Sequence, residues 1–174
     1  YRVIGVRPLP CGMTTIAPAP ADSSTDLDTA RAILRHHFGY PDFRPAQRQV
    51  VRSVLGRRDT LAVLPTGGGK SLCFQVPALA LPGFTIVVSP LIALMQDQVA
   101  ALARRGVPAA ALNSTLSAEG QDAVLADVAS GHMKLLYTSP ERLERLSRDL
   151  IGRGLRPALL AVDEAHCITE WGHD

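Results

Sequence analysis

From residue 60 onward, short apolar runs alternate with longer stretches in which apolar residues recur every three or four positions. The first pattern predicts buried strands and the second amphipathic helices. The strands expected on this basis are 60–64, 84–89, 109–112, 133–138 and 158–162. The helices expected between them are 70–80, 91–104, 117–130 and 140–150. Upstream, Leu27, Ala30, Ile33, Leu34 and His37 fall at helical spacing from Asp26, with Gly39 as a stop. A second helix fits Pro45 to Leu55, with proline in its first turn and Val50, Val51, Val54 and Leu55 inward. Residues 1–25 show neither period. Pro8, Pro10, Pro18 and Pro20 followed by Ser23, Ser24 and Thr25 read as a flexible leader, which leaves 26–174 as the folded domain.

Five apolar runs separated by helices predict an α/β fold with a mainly parallel sheet flanked by helices. Right-handed crossovers would place every loop that follows a strand on one edge of that sheet, where ligands of open α/β sheets bind. Composition narrows the class further. The chain has 174 residues, 47% of them hydrophobic, which is enough for a packed core. A net charge of +2 neither requires nor excludes nucleic acid, since a basic groove can sit within a neutral total. No apolar run approaches the roughly 18 residues of a membrane span. Cys11, Cys73 and Cys167 form no CxxC pair, so neither a zinc site nor a disulfide framework is expected. A signal peptide is not recognisable in residues 1–12. The chain opens on Tyr1, with Met13 its first methionine, and closes at Asp174 soon after its only tryptophan, so both ends read as cut. Lys70 and Lys134 are the only lysines among many arginines.

Two stretches carry chemistry. Leu61-Ala-Val-Leu-Pro-Thr66-Gly67-Gly68-Gly69-Lys70-Ser71 reads as a strand, a glycine-rich turn and a helix start. Glycines let successive backbone N–H groups converge on one point, and the helix N-terminus adds a positive dipole end. Lys70 can then reach the β- and γ-phosphates of a nucleotide, and the Ser71 hydroxyl can ligate Mg²⁺. Leu64 stands where the strict phosphate-loop pattern has its first glycine, so the loop is a variant. A plain glycine-rich turn beside a surface lysine is the alternative. The second stretch, Leu159-Leu-Ala-Val-Asp163-Glu164-Ala-His166, sets two carboxylates directly after a strand. Asp163 suits Mg²⁺, held through water, and Glu164 suits polarising an attacking water. Carboxylates at strand exits also cap helices. The span from Lys70 to Asp163 leaves room for three strand–helix units, so the two strands can be sheet neighbours.

With both boxes in order, residues 26–174 resemble the first motor lobe of a superfamily 2 helicase, and specifically the RecQ family. Phe38-Gly-Tyr40-Pro-Asp-Phe43-Arg44-Pro-Ala-Gln47 resembles that family's adenine-binding motif. Leu64 to Pro77 resembles its motif I, the missing first glycine included. Val88 to Gln98 resembles motif Ia, in which Gln96 and Gln98 carry less weight than the loop before them. Leu112-Asn-Ser114 and Tyr137 to Leu143 resemble the segments that follow. Asp163 to Asp174 resembles motif II running into an aromatic-rich loop. The resemblance implies a RecA-like P-loop NTPase lobe, incomplete at its C-terminal end.

It also implies roles. Tyr40 would stack on adenine, and Arg44 and Gln47 would contact the base or nearby groups, as an aromatic face and a paired donor–acceptor amide suit an adenine edge. Core packing is the alternative for Tyr40 and Phe43. Thr66 to Ser71 would hold the nucleotide. His166 would link the ATP site to the DNA-sensing loop, or is simply a polar neighbour of two carboxylates. Trp171 would sense single-stranded DNA by stacking, or is a packing residue. The Ser89-Pro90 and Ser139-Pro140 helix starts would track a DNA strand, or serve as helix starts only. Arg142, Arg145 and Arg148 drift around their helix and fit a solvated face.

The expected parent protein is an ATP-dependent, Mg²⁺-requiring DNA helicase, moving 3′ to 5′ on single-stranded and partly duplex DNA in repair and recombination. It would be cytoplasmic and nucleoid-associated. It needs a second motor lobe, so these 174 residues alone are expected to bind nucleotide at most. Another superfamily 2 ATPase acting on RNA, and a non-catalytic remnant of a disrupted frame, are the alternatives.

Overall fold

The structure is a computed structural model that describes residues 2–8, 23–65, 67–112 and 116–165; for 2–8 and 23–25 the description is of the backbone. In chain order the elements are β1 (Arg2–Pro8), α1 (Ser23–Phe38), α2 (Pro45–Leu55), β2 (Thr60–Leu64), α3 (Leu72–Ala80) and β3 (Thr85–Val88). They continue with α4 (Ile92–Ala103), β4 (Ala109–Leu112), α5 (Ala118–Ala129), β5 (Leu135–Thr138), α6 (Pro140–Gly152) and β6 (Leu159–Val162). Every element expected from Pro45 onward is present, its ends within two residues of the pattern. Local chemistry sets those ends. Gly39 takes φ 74° after α1, and the Ser117 hydroxyl accepts the Gly120 N–H at 3.2 Å to cap α5.

The sheet order is β2-β1-β6-β3-β5-β4. β3 pairs in parallel with β5 and β6, and β5 with β4. β1 is antiparallel to both its neighbours, β2 and β6, which therefore run the same way. The sheet is thus parallel except for one inserted strand. Two expectations change here. Residues 1–25 do not read through as a leader: Arg2–Pro8 is a sheet strand and α1 begins at Ser23. β2 and β6 are not neighbours, because β1 lies between them. The reason is non-local. A seven-residue strand is held by ladders to partners far along the chain, and no periodicity within it announces them.

Alternate residues of each strand face opposite layers. Ala62, Leu64, Val87, Leu135, Tyr137, Leu159 and Ala161 join α1 to α4 in one core. Ile86, Val88, Leu112 and Leu136 join α5 and α6 in the other. The second layer does not extend over β2, where Leu61 and Val63 are exposed. An apolar cleft of about 530 Å³ opens between α6 and the strands, lined by Ile86, Leu150, Leu155, Pro157 and Leu160. Pro157 and Leu155 precede β6, so the cleft sits toward the N-terminal ends of the strands. No helix among the described residues is long and apolar enough to cross a membrane.

Leu135 is fully buried in β5, whereas Ile151 on α6 is 74% exposed. Leu135→Ala is expected to cost about 2–5 kcal/mol of unfolding free energy, and Ile151→Ala at most about 0.5. Urea denaturation midpoints measure both; equal losses would mean that the buried layer is misassigned.

Candidate functional site

β2 leaves the sheet at Leu64 and passes through Pro65 into three glycines. The Gly68 N–H donates to the Pro65 carbonyl at 3.0 Å, closing a tight turn. Gly67 and Gly69 take φ of 75° and 69°, conformations that side-chain-bearing residues rarely adopt. A Cβ on Gly68 would stand 2.8 Å from the Pro65 oxygen, and one on Gly69 would stand 2.5 Å from Gln47 Nε2. Glycine is therefore demanded at these positions by geometry. Lys70 and Ser71 occupy the turn before α3: the Cys73 N–H donates to the Lys70 carbonyl at 2.9 Å and the Gln75 N–H to that of Ser71 at 2.8 Å. The expected helix start at Lys70 is thus a turn, with α3 proper beginning at Leu72. The other lysine has a different task. Lys134 Nζ donates to the Leu81 and Gly83 carbonyls at 3.2 and 3.3 Å, at the far end of α3.

α2 braces the loop. Gln47 is buried and its Nε2 donates to the Gly68 and Gly69 carbonyls at 2.9 and 3.2 Å. Its Oε1 accepts the Arg44 N–H at 2.9 Å at the start of α2. Both ends of this amide are thus engaged within the loop and its supporting helix. Arg44 Nη1 reaches the Gly67 carbonyl at 3.3 Å. Asp42 organises the segment before α2. It accepts from the Phe43 N–H at 2.7 Å, from Arg31 Nε at 3.2 Å and from Arg48 Nη2 at 2.6 Å. The backbone N–H, ahead of the two guanidinium groups, holds its carboxyl below the usual carboxylate range. Phe43 is a core residue, while Tyr40 is 53% exposed in the same segment.

At the end of β6 the Asp163 N–H donates to the Val88 carbonyl of β3 at 2.8 Å. Asp163 and Glu164 are both buried. Glu164 takes φ 56°, a left-handed conformation that costs a non-glycine residue about 1–2 kcal/mol. Strain of this kind persists only where its surroundings fix it. Asp163 Oδ1 accepts the Glu164 N–H at 3.0 Å, and Oδ2 accepts from Gln98 Nε2 of α4 at 3.2 Å. Gln98 Oε1 in turn accepts from the Tyr137 hydroxyl at 2.9 Å and from Gln75 Nε2 at 3.1 Å. Gln75 Nε2 also lies 3.2 Å from the Tyr137 oxygen. Burial, and then the Glu164 charge, push the Asp163 carboxyl above its ordinary range. Its two hydrogen bonds and the Lys70 charge work in the opposite direction. Gln75 and Tyr137 gained no role from the sequence. The signal was a polar group inside an apolar run, Gln75 in Leu-Cys-Phe-Gln-Val and Tyr137 in Leu-Leu-Tyr.

The structure therefore gathers Arg44, Gln47, Gly67, Gly68 and Gly69, and sets Asp163 beside Glu164 with Lys70 in electrostatic reach. Thr66, Asn113, Ser114, His166 and Trp171 lie outside the described residues. Arg148 pairs with Glu144 at 3.7 Å on the exposed face of α6, whereas Arg142 is half-buried and its Nη2 donates to Gln121 Oε1 of α5 at 2.8 Å.

Residues 44–174 match the DEAD/DEAH box helicase family. The chain is 48% identical over 149 residues to the ATP-dependent DNA helicase RecQ of Bacillus subtilis, covering 85% of this chain and 25% of that protein. It is 46% identical over 146 residues to the protein of the same name from Haemophilus influenzae, covering 84% of this chain and 24% of that protein. It is 44% identical over 149 residues to the RecQ-like DNA helicase blm-1 of Caenorhabditis elegans, covering 81% and 15%. The chain spans about a quarter of the length of the bacterial relatives it matches.

Cys73 lies in the first turn of α3, where the helix dipole favours a thiolate by up to about 2 kcal/mol. It is nonetheless fully buried, and burial pushes its thiol up to about 12. Burial prevails because each tenfold change in proton affinity is about 1.4 kcal/mol. In a background with Cys11 and Cys167 replaced by serine, Cys73 is expected to resist Ellman's reagent at pH 8 until urea unfolds the chain. Rapid labelling of the native protein would show the thiol to be accessible.

Proposed function

The chain belongs to the DEAD/DEAH box helicase family, and on that premise we propose that it forms the nucleotide-binding part of an ATP-dependent DNA helicase of RecQ type. The full protein moves 3′ to 5′ on single-stranded and partly duplex DNA, in repair and recombination, in the cytoplasm. One observation carries the reading: a glycine turn, with positive φ at Gly67 and Gly69 and no room for a Cβ at Gly68, and a buried carboxylate pair stand at strand ends of one sheet, in a chain close to DNA helicases over most of its length.

The residues present fit ATP with Mg²⁺. Gly67 and Gly69, both at positive φ, turn the chain into the start of α3 through a tight turn that a Cβ on Gly68 would disrupt, and a helix N-terminus favours an anion. Lys70 supplies the cation for the β- and γ-phosphates, and the Ser71 hydroxyl and Asp163 supply hard oxygen ligands for the metal. Bound Mg²⁺ neutralises phosphate charge. Glu164 orients a water and takes its proton. Tyr40, exposed beside the Asp42 clamp, offers its face to adenine, with Arg44 next to it. Gln47, which also braces Gly68 and Gly69, would contact the base or nearby groups from the same segment. His166 and Trp171 connect this site to single-stranded DNA. A second motor lobe completes the nucleotide site, so the 174 residues alone bind nucleotide at most.

In the full-length protein Lys70→Ala is expected to lower ATP turnover at least about a hundredfold, the scale of losing one electrostatic stabiliser of the transferring group. Glu164→Gln should keep nucleotide affinity and lose turnover. Near-wild-type hydrolysis by either variant removes that residue from the mechanism. Stimulation of hydrolysis by DNA but not by RNA of the same sequence separates this reading from an RNA-dependent ATPase.

Trp171→Ala is expected to leave basal hydrolysis intact. Stimulation by single-stranded DNA should fall roughly fivefold to a hundredfold, the equivalent of about 1–3 kcal/mol of stacking. A lower melting temperature with unchanged fold-stimulation would assign Trp171 to packing instead.

A further inference from the structure

We propose that Gln98 is the positioning residue of Asp163, aimed by the Tyr137 hydroxyl and Gln75, and that this relay sets how tightly the site takes Mg²⁺. The inference rests on reading Asp163 as the metal-holding carboxylate. Its basis is the direction of each hydrogen bond. Each oxygen of Asp163 accepts a hydrogen bond, Oδ1 from the Glu164 N–H and Oδ2 from Gln98 Nε2. The first comes from the strained turn of the same strand. The second comes from another element, two helical turns into α4. Together they fix the rotation of the carboxylate plane, which neither fixes alone.

The orientation of Gln98 is itself determined. Its Oε1 takes the Tyr137 hydroxyl at 2.9 Å and Gln75 Nε2 at 3.1 Å. With the amide reversed, Oε1 would face the Asp163 carboxylate and Nε2 would face the Gln75 donor, placing acceptor against acceptor and donor against donor. Tyr137 is fully buried and Gln75 nearly so, leaving neither much freedom to turn away. Burial pushes the Tyr137 hydroxyl upward from its ordinary range, so it remains a donor at working pH. The relay thus runs one way, from α3 and β5 through α4 to β6. Packing alone does not require three polar side chains here; their neighbours Phe74, Met95 and Leu135 are apolar and fully buried.

Outer partners of metal-holding groups commonly change metal affinity tenfold or more when removed. The test uses the full-length protein, with N-methylanthraniloyl-ADP fluorescence as a binding readout without turnover, Mg²⁺ being titrated from zero. Gln98→Met keeps the volume and loses the amide. It should raise the half-saturating Mg²⁺ about tenfold while leaving nucleotide affinity in EDTA unchanged. Tyr137→Phe removes only the hydroxyl and should shift the same quantity in the same direction by less. The double variant should shift no further than Gln98→Met, because Tyr137 acts through Gln98. A lower melting temperature with wild-type Mg²⁺ half-saturation in both single variants would overturn the proposal and leave the three residues as packing. If Gln98→Met does not fold, Tyr137→Phe decides alone. Asp163→Ala separates the two levels. If it leaves Mg²⁺ half-saturation unchanged, the metal reading of Asp163 falls and this inference with it. If it shifts while the Gln98 and Tyr137 variants do not, only the inference falls.

Discussion

The Asp163 carboxylate is out of water and beside a second buried carboxylate. Removing such a group from water costs several kcal/mol even after relaxation, and a like charge next to it adds to that. Something must oppose both terms if the acid is to hold a cation. The opposing groups come from three places: the Glu164 N–H, the Gln98 amide on α4 and the Lys70 charge from the glycine loop. Each must arrive at the same end of the sheet. That requirement ties the register of β6 on β3 to the packing of α4 and to the turn that follows β2. Val88 illustrates the link, since it pairs with Val162 and its carbonyl receives the Asp163 N–H.

The glycine loop solves a different problem, that of staying ordered with so few side chains. Three glycines favour many conformations in the unfolded chain, so the folded loop needs outside support. Gln47 provides it with one amide, donating to two loop carbonyls and capping its own helix through its oxygen. The Asp42 ion-pair cluster holds the start of α2 in place. These contacts hold the described loop residues Gly67 to Gly69 from outside the loop. The large apolar cleft lies toward the other end of the strands, between α6 and β6.

Much of this was legible in the chain itself. Residues 60–162 alternate periods of about two and 3.6, so strands and helices follow from local sterics and from the need to bury one face of each. The same logic put the glycine turn and the Asp163–Glu164 pair at strand ends, because parallel strands joined by right-handed crossovers have no other edge on which to place them. The three-glycine stretch could be read as a close-approach turn from residue type alone, and the Cβ contacts at Gly68 and Gly69 bear that out. Tertiary structure decided the rest. Arg2–Pro8 became a strand only because two ladders receive it, and pairing partners that remote leave no trace in a seven-residue window. It also separated β2 from β6, which spacing had allowed to be neighbours. The sequence offered Gln47 as an amide for a base edge and gave no sign that its nitrogen holds the loop and its oxygen the start of α2, since a side chain's partners depend on which backbone groups the fold brings within hydrogen-bond distance. Gln75, Gln98 and Tyr137 come from three separate elements and converge on Asp163 only once the helices pack. Sequence fixes which groups can donate and accept; distance and direction, which belong to the packed fold, determine which of them meet.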